Sequence, residues 1–161
     1  MQKSQVVIVA LLVMNLAATV WFGVNGSVVS PKDRASLNAL PPFFTEAEKS
    51  RLYTRFERTF NAGDFEALYQ IFGPAAQAMF SQDKATDEFS KLKRYFDTVS
   101  DGVFQHSEFA GNKGSTNYYN LYFSVKFSQD SQMGSAGVLK ITVATDDAGY
   151  QVYGIRLNSS L

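Results

Sequence analysis

The chain has 161 residues, of which 45% are hydrophobic and 19% charged, so it is too apolar for disorder and has room for one globular domain with a short appendage. Fifteen basic residues balance fifteen acidic ones, and we therefore expect no nucleic-acid binding. The absence of cysteine and the single histidine, His106, exclude disulfides, thiol catalysis and a multi-histidine metal site. Since no phosphate-binding loop or nucleophile motif occurs either, we expect no cofactor.

The first feature along the chain is an uncharged apolar run from Val6 to Val24. As an α-helix at about 1.5 Å per residue it would span roughly 28 Å, which is close to the thickness of a bilayer's hydrocarbon core. A cleaved secretory signal is the alternative, but the apolar core of a signal peptide usually has only about 7–15 residues. Trp21 and Phe22 at the distal end are typical of an anchor at headgroup level. The sequence therefore predicts a transmembrane anchor over residues 1–26, spanning the bilayer with residues 6–24.

The charges around this run set the expected orientation. Lys3 precedes it while Lys32 and Arg34 follow it, so the positive-inside count is nearly balanced. The short N-terminal tail favours an inside N-terminus and an exported C-terminal domain. The composition fits a single-pass protein of a bacterial inner membrane with its C-terminal domain in the periplasm, and a eukaryotic lumen is the alternative. Residues 27–42 contain three prolines, which indicates a linker of limited flexibility.

The folded domain is expected to occupy residues 43–161 and to begin with helices. Thr45 and Glu48 form a capping-box pattern ahead of apolar residues at helical spacing. Asp64 is placed to cap a second, short helix, which Gly73-Pro74 would end. About three helices are predicted, near residues 46–61, 65–72 and 86–99.

From Val103 onward the hydrophobic period changes to two, and β-branched or aromatic runs alternate with clusters of turn residues. About four strands are predicted, near residues 103–111, 116–128, 136–147 and 150–160. Helices followed by strands is the order of an α+β fold, in which one face of a curved antiparallel sheet packs on the helices.

Two stretches carry a resemblance to a known superfamily. "RFERTFNAGDFEALYQIF", residues 55–72, and "DDAGYQVYGIRL", residues 146–157, resemble the nuclear transport factor 2-like superfamily of cone-shaped α+β domains, which includes the ketosteroid isomerase-like and SnoaL-like families. The resemblance covers about residues 43–161 and includes no catalytic signature. It implies a half-open cone that can hold a small apolar ligand, and a sheet whose outer face often binds partners. Members range from isomerases and dehydratases to non-catalytic accessory subunits.

Three residues are candidates for a pocket in this cone: Tyr119, Phe123 and His106. Strand alternation places Tyr119 and Phe123 on the core face of the second strand, where the Tyr119 hydroxyl would need a partner. His106 has the chemistry of an acid or base, but no second acid-base group can be placed beside it by spacing. A structural or surface histidine is the competing interpretation.

Four residues are candidates for an interaction surface: Tyr118, Tyr122, Tyr153 and Arg156. Tyr118 and Tyr122 share the outward face of the second strand and form a plausible docking strip, while scattered surface tyrosines are the alternative. Tyr153 and Arg156 lie near the centre of the last strand, and Arg156 beside aromatic neighbours is a residue type enriched at interfaces, with a plain solvent contact as the alternative.

Because no matched catalytic set is found, the expected function is non-catalytic. The sequence favours a membrane-anchored interaction module, an accessory or assembly subunit of a membrane complex that binds a protein partner or a second copy of itself. The alternative is an enzyme of the isomerase or dehydratase type that acts on a small apolar ligand in the cone.

Overall fold

The computed structural model describes residues 38–160 of the chain. The predicted anchor over residues 1–26 and most of the predicted linker over residues 27–42 lie outside the described residues. Among the helices between Asn38 and Ser160, none combines the length and the apolarity that a membrane crossing requires.

Helices precede strands in the described part of the chain, as the sequence predicts. The helices are α1 (Glu46–Ala62), α2 (Phe65–Tyr69), α3 (Pro74–Gln77) and α4 (Gln82–Phe96); the strands are β1 (Val99–Lys113), β2 (Thr116–Phe127), β3 (Ala136–Asp146) and β4 (Gly149–Ser159). The strands pair antiparallel in the order β1-β2-β3-β4. This α+β arrangement of a few helices and a four-stranded antiparallel sheet fits the expected cone.

The caps that the sequence indicates are present at the first two helices. The Thr45 side chain accepts a hydrogen bond from the backbone N–H of Glu48 at 3.2 Å. Gly63 ends α1 in the left-handed region at φ 68°, a conformation that glycine adopts without steric cost. The Asp64 side chain then accepts from the N–H of Ala67 and starts α2. Local side-chain chemistry therefore fixes this helix junction.

The last helix lies earlier in the chain than the spacing predicts. It begins at Gln82, because the Ser81 hydroxyl caps it by accepting from the N–H of Lys84. It ends at Phe96, since Asp97 turns the backbone to φ 56° and breaks the helical path. Val99 consequently opens β1 and does not belong to the helix.

The core lies between the helices and one face of the sheet, which we call the inner face. The Tyr53 ring of α1 stacks on Phe123 of β2 at 5.7 Å between centroids, and Phe96 of α4 packs on Phe127 at 4.8 Å. Phe72, between α2 and α3, is also buried, and its backbone forms an isolated parallel β-bridge with Val152 of β4. Burying each of these large apolar side chains stabilises the fold by about 1.5–3 kcal/mol.

Both edges of the sheet receive contacts from outside it. At β1, the Asn38 side-chain oxygen accepts from the N–H of Phe109 at 2.9 Å, and the Asn38 carbonyl accepts from the Ser107 hydroxyl at 2.9 Å. At β4, the N–H of Gly73 donates to the Val152 carbonyl at 2.8 Å. Asn38, which lies in the predicted linker, therefore contacts the β1 edge of the sheet.

Candidate functional site

The face of the sheet opposite the helices carries the candidate interaction residues; we call it the outer face. In β2 every second residue from Tyr118 to Lys126 points there, and the register assigns the facing residues of the neighbouring strands. The alternate β2 residues, Tyr119 to Phe127, are buried on the inner face. The alternation predicted for β2 is therefore confirmed.

Tyr119 and Phe123, two of the three pocket candidates, lie on the inner face. Tyr119 is 7% exposed and packs edge-on against Phe109 at 5.6 Å between centroids. Phe123 is 1% exposed and packs between the rings of Tyr53 and Phe104, at 5.7 and 5.6 Å. A side chain that lines an open pocket would remain accessible to solvent, so this part of the inner face is filled with protein atoms.

His106, the third pocket candidate, lies on the outer face. Strand alternation puts Phe104 and His106 on the same side, but a β-bulge between them makes Phe104 face Phe123 and His106 face Tyr122. The His106 side chain is 55% exposed and stacks on the Tyr122 ring at 4.6 Å and 12°. The structure thus separates His106 from Tyr119 and Phe123.

Tyr122 connects His106 to a carboxylate. Its hydroxyl donates to Glu108 Oε2 at 2.7 Å, and His106 Nε2 lies 3.6 Å from Glu108 Oε1. Burial, and then the hydrogen bond and the negative charge of Glu108, raise the pKa of Tyr122 to about 12. Tyr122 is therefore protonated near neutral pH and is held by its hydroxyl against the sheet.

Tyr118 and Tyr153 meet on the same face although β3 separates their strands. Their ring centroids are 5.2 Å apart at 72°, an edge-to-face contact. The residue that faces Tyr118 on β3 is Ala144, whose small side chain lets the two rings approach over it. The Tyr153 hydroxyl also contacts Met79 Sδ at 3.0 Å, which joins this pair to the end of α3.

A second bulge brings Arg156 onto the outer face beside Lys140. The register shift between Thr142 and Val143 allows Val152 to face the core while Arg156 faces Lys140 across the β3–β4 pair. Arg156 Nε donates to Asn158 Oδ1 at 2.9 Å. Burial, and then the nearby Arg156 charge, lower the pKa of Lys140.

The structure thus brings all four interaction candidates together on one face. Tyr122, Lys140 and Arg156 form one cross-strand row, and Tyr118 and Tyr153 form an aromatic contact further along the strands. We call these five residues the docking surface. Lys140 is the member that sequence reasoning did not single out, because its position opposite Arg156 depends on the bulge. The available signal was that Val152 and Ile155, an even- and an odd-numbered apolar residue, would face opposite sides of a regular strand, although both are buried.

One buried polar group on the inner side was also missed. Among residues 38–160, the Tyr53 hydroxyl is the buried side-chain oxygen for which no hydrogen-bond partner is found. The Glu57 side chain and the backbone of Gly102 lie near it. Burial and the Glu57 charge raise the pKa of this phenol. From sequence, Tyr53 was indistinguishable from the apolar residues of α1.

Chemically, the docking surface offers aromatic rings and cations, which suits binding more than bond-making. Within the described residues there is no group of three or more His, Cys, Asp or Glu side chains placed to hold a metal ion.

Comparisons with known proteins find likeness in structure and none in sequence families. No protein-family model matches the chain, and no curated protein does. A solved structure from Streptomyces avermitilis, assigned as a dehydratase of the NTF2-like family, is similar with a TM-score of 0.46 and 12% sequence identity, over 75% of this chain and 99% of that one. At this level of similarity nothing about the chemistry of this chain follows.

Proposed function

We propose that the chain is a non-catalytic interaction module, anchored in a membrane by residues 6–24, that binds a protein partner through its docking surface. It would act as an accessory or assembly subunit of a membrane complex, with its domain in the periplasm of a bacterium. The observation that carries the proposal is the grouping of Tyr118, Tyr122, Tyr153 and Arg156 on the face opposite the helices.

The residue types of the docking surface fit this function. Tyrosine and arginine are enriched at the centres of protein interfaces, where they contribute most of the binding energy. The aromatic contact between Tyr118 and Tyr153 and the Glu108 bond of Tyr122 hold these rings in place before a partner binds. Binding then costs less side-chain entropy than it would with mobile rings.

The position of His106 also argues for a binding role. A general acid or base works within hydrogen-bond reach of its substrate, directly or through one water. His106 is instead half-exposed on the outer face, where it stacks on Tyr122. It therefore supports the ring that we assign to the docking surface.

Photo-crosslinking from defined positions in membranes of the native host tests the proposal. A photoreactive amino acid replaces Ser124 on the outer face in one variant, and Arg58 on the exposed side of α1 in a matched control. We expect the Ser124 variant to yield one discrete adduct with a different protein, and the Arg58 variant to yield none. Adducts from both positions, or from neither, would count against docking through the sheet.

An enzyme of the isomerase or dehydratase type, with a small apolar ligand in the cone, is the second candidate. The specific observation in its favour is the Tyr53 hydroxyl, since a buried polar group without a partner requires an explanation, and a role towards a ligand is one. A panel of small cyclic ketones is the probe. The enzyme alternative predicts that one of these ketones raises the melting temperature of the wild type but not that of Tyr53→Phe. If no compound raises the melting temperature of the wild type, the enzyme alternative is wrong.

A further inference from the structure

Lys140 and Arg156 are like charges placed directly opposite each other on β3 and β4. Like charges at facing positions of an antiparallel pair destabilise a sheet. Here the cost is larger than on an open surface, because Lys140 is only partly exposed and its ammonium loses some hydration. A local arrangement that opposes folding in this way is expected where a site serves binding.

No carboxylate of the described outer face forms a salt bridge with this pair, and the nearby charge of Glu108 opposes only part of the lowering of the Lys140 pKa. Glu108 accepts the Tyr122 hydroxyl at 2.7 Å and faces His106, and Asp101 lies 3.2 Å from Lys126 Nζ. Within residues 38–160, no carboxylate lies within salt-bridge distance of Lys140 or Arg156. The two cations are therefore available to an anion that comes from outside this part of the chain.

We propose that the docking surface binds an acidic protein segment, one of whose carboxylates lies between Lys140 and Arg156 while the tyrosines pack against its flanking residues. The inference rests on the proposed function and names the chemistry of the partner. A carboxylate relieves the repulsion between the two cations and accepts charge-assisted hydrogen bonds from the Arg156 guanidinium. Tyr122, beside Lys140, and Tyr118 with Tyr153 supply the apolar contact on either side.

Two other occupants fit the surface less well. Nucleic acid binds by neutralising many phosphates, whereas this surface offers two cations without a salt-bridge partner among the described residues, in a chain with fifteen basic and fifteen acidic residues. A second copy centred on this row would bring Lys140 and Arg156 against their own equivalents. An acidic partner segment is the occupant whose charge complements the row.

A random dodecapeptide phage library, selected on the full-length chain in detergent micelles, supplies the probe. The most enriched peptide is then synthesised in two forms, one with its Asp and Glu residues and one with Asn and Gln in their place. We expect enriched peptides to contain acidic residues, and the amide form to bind at least about tenfold more weakly. Lys140→Gln and Arg156→Gln should each weaken binding of the acidic form by about fivefold or more.

The matched control is Lys126→Gln. Lys126 is also a lysine on the outer face, but it is paired with Asp101 and lies outside the docking surface, so its loss should change the affinity by less than about twofold. Enriched peptides without acidic residues, or equal binding of the acidic and amide forms, would overturn the inference. So would tighter binding of a single-stranded oligonucleotide at the same site, or dimerisation of the chain that Lys140→Gln abolishes.

The same variants distinguish this inference from the proposed function. If the crosslink from Ser124 to a partner forms equally well in Lys140→Gln and Arg156→Gln variants, the acidic-segment inference is wrong and the proposed function stands. If no partner is found, either by crosslinking from Ser124 or by comparing the wild type with a Tyr118→Ser, Tyr122→Ser variant, the proposed function itself is wrong.

Discussion

Tyr118 on β2 and Tyr153 on β4 contact each other edge to face over Ala144 of the strand between them, with ring centroids 5.2 Å apart. Such aromatic pairs contribute about 0.5–1.5 kcal/mol beyond the area they bury. The contact makes the aromatic residues of two non-adjacent strands one continuous surface.

Phe123→Ala should destabilise the domain by about 3–5 kcal/mol, because it removes a fully buried ring and leaves a cavity. Phe123 is 1% exposed between Tyr53 and Phe104, so the surrounding rings cannot easily close the space. Urea unfolding of the full chain in micelles, followed by tyrosine fluorescence, measures the change. The control is Tyr122→Ala on the opposite face, which should cost clearly less; equal losses would contradict the assignment of the two faces.

Tyr53→Phe should leave the stability unchanged or raise it by up to about 1 kcal/mol, since it removes a buried hydroxyl without a hydrogen-bond partner. Tyr69→Phe is the matched control. The Tyr69 hydroxyl donates to the carbonyl of Phe80 at 3.1 Å, so its removal should cost about 1 kcal/mol. Thermal unfolding of both variants tests the difference in sign, and a loss of stability in Tyr53→Phe equal to that in Tyr69→Phe would show that Tyr53 has a partner.

Glu48 should make the stability of the domain depend on acidic pH. Its carboxylate accepts a hydrogen bond from Arg51 Nη2 at 2.6 Å and another from the Tyr150 hydroxyl, and these interactions lower its pKa from 4.5. A lowered folded-state pKa stabilises the fold above the unfolded value, and this contribution is lost as pH falls through the folded-state pKa. Glu48→Gln should therefore flatten the decrease in unfolding free energy below pH 4.5.

The control for this pH effect is Glu66→Gln on the exposed surface of α2, which should leave the acid limb of the stability curve as in the wild type. Urea unfolding at a series of pH values measures both variants. An unchanged acid limb in Glu48→Gln would mean that the Glu48 contacts do not persist in solution.

Gly137→Ala should prevent close pairing of β3 and β4. A Cβ at this position would lie 2.1 Å from the Asn158 carbonyl oxygen and 2.4 Å from the Phe127 ring. The backbone would have to shift, at a cost of about 1–3 kcal/mol or more. Gly114→Ala, in the β1–β2 turn at φ 61°, meets open space and should cost only about 1 kcal/mol of backbone strain. Urea unfolding measures both variants. A smaller loss of unfolding free energy for Gly137→Ala than for Gly114→Ala would contradict the pairing of β3 with β4 at Gly137.

The sequence was sufficient where a local signal determines the structure. Thr45, Gly63 and Asp64 act through hydrogen bonds and backbone geometry within a few residues, and the period of two in β2 sorts Tyr118 from Tyr119 directly. The order of helices and strands follows from the same patterns. These parts of the fold were therefore predictable without knowledge of distant contacts.

The sequence was insufficient where a bulge changes the parity. Simple alternation gives His106 the face of Phe104, and an unbroken hairpin from Asp146↔Gly149 would place Ile155 opposite Lys140. The bulge in β1 turns His106 to the face opposite Phe104. The bulge in β4 places Arg156, in place of Ile155, opposite Lys140. Because bulges are stabilised by contacts on both faces of a sheet, one strand's sequence does not locate them. The outward position of His106 could be found only in three dimensions, whereas the conflicting positions of Val152 and Ile155 hinted in the sequence at the bulge that pairs Lys140 with Arg156.

The most direct test of the central claim is the mass of the complex formed by the full chain after mild detergent extraction from its native membrane, compared with that of the double variant Tyr118→Ser, Tyr122→Ser. We predict that the wild type migrates as a complex with another protein, and that the variant is recovered alone while still folded, with no more than the modest loss of stability expected from removing its surface contacts. A wild type that is itself recovered alone, or a variant that loses stability while its complex remains intact, would contradict docking through the outer face.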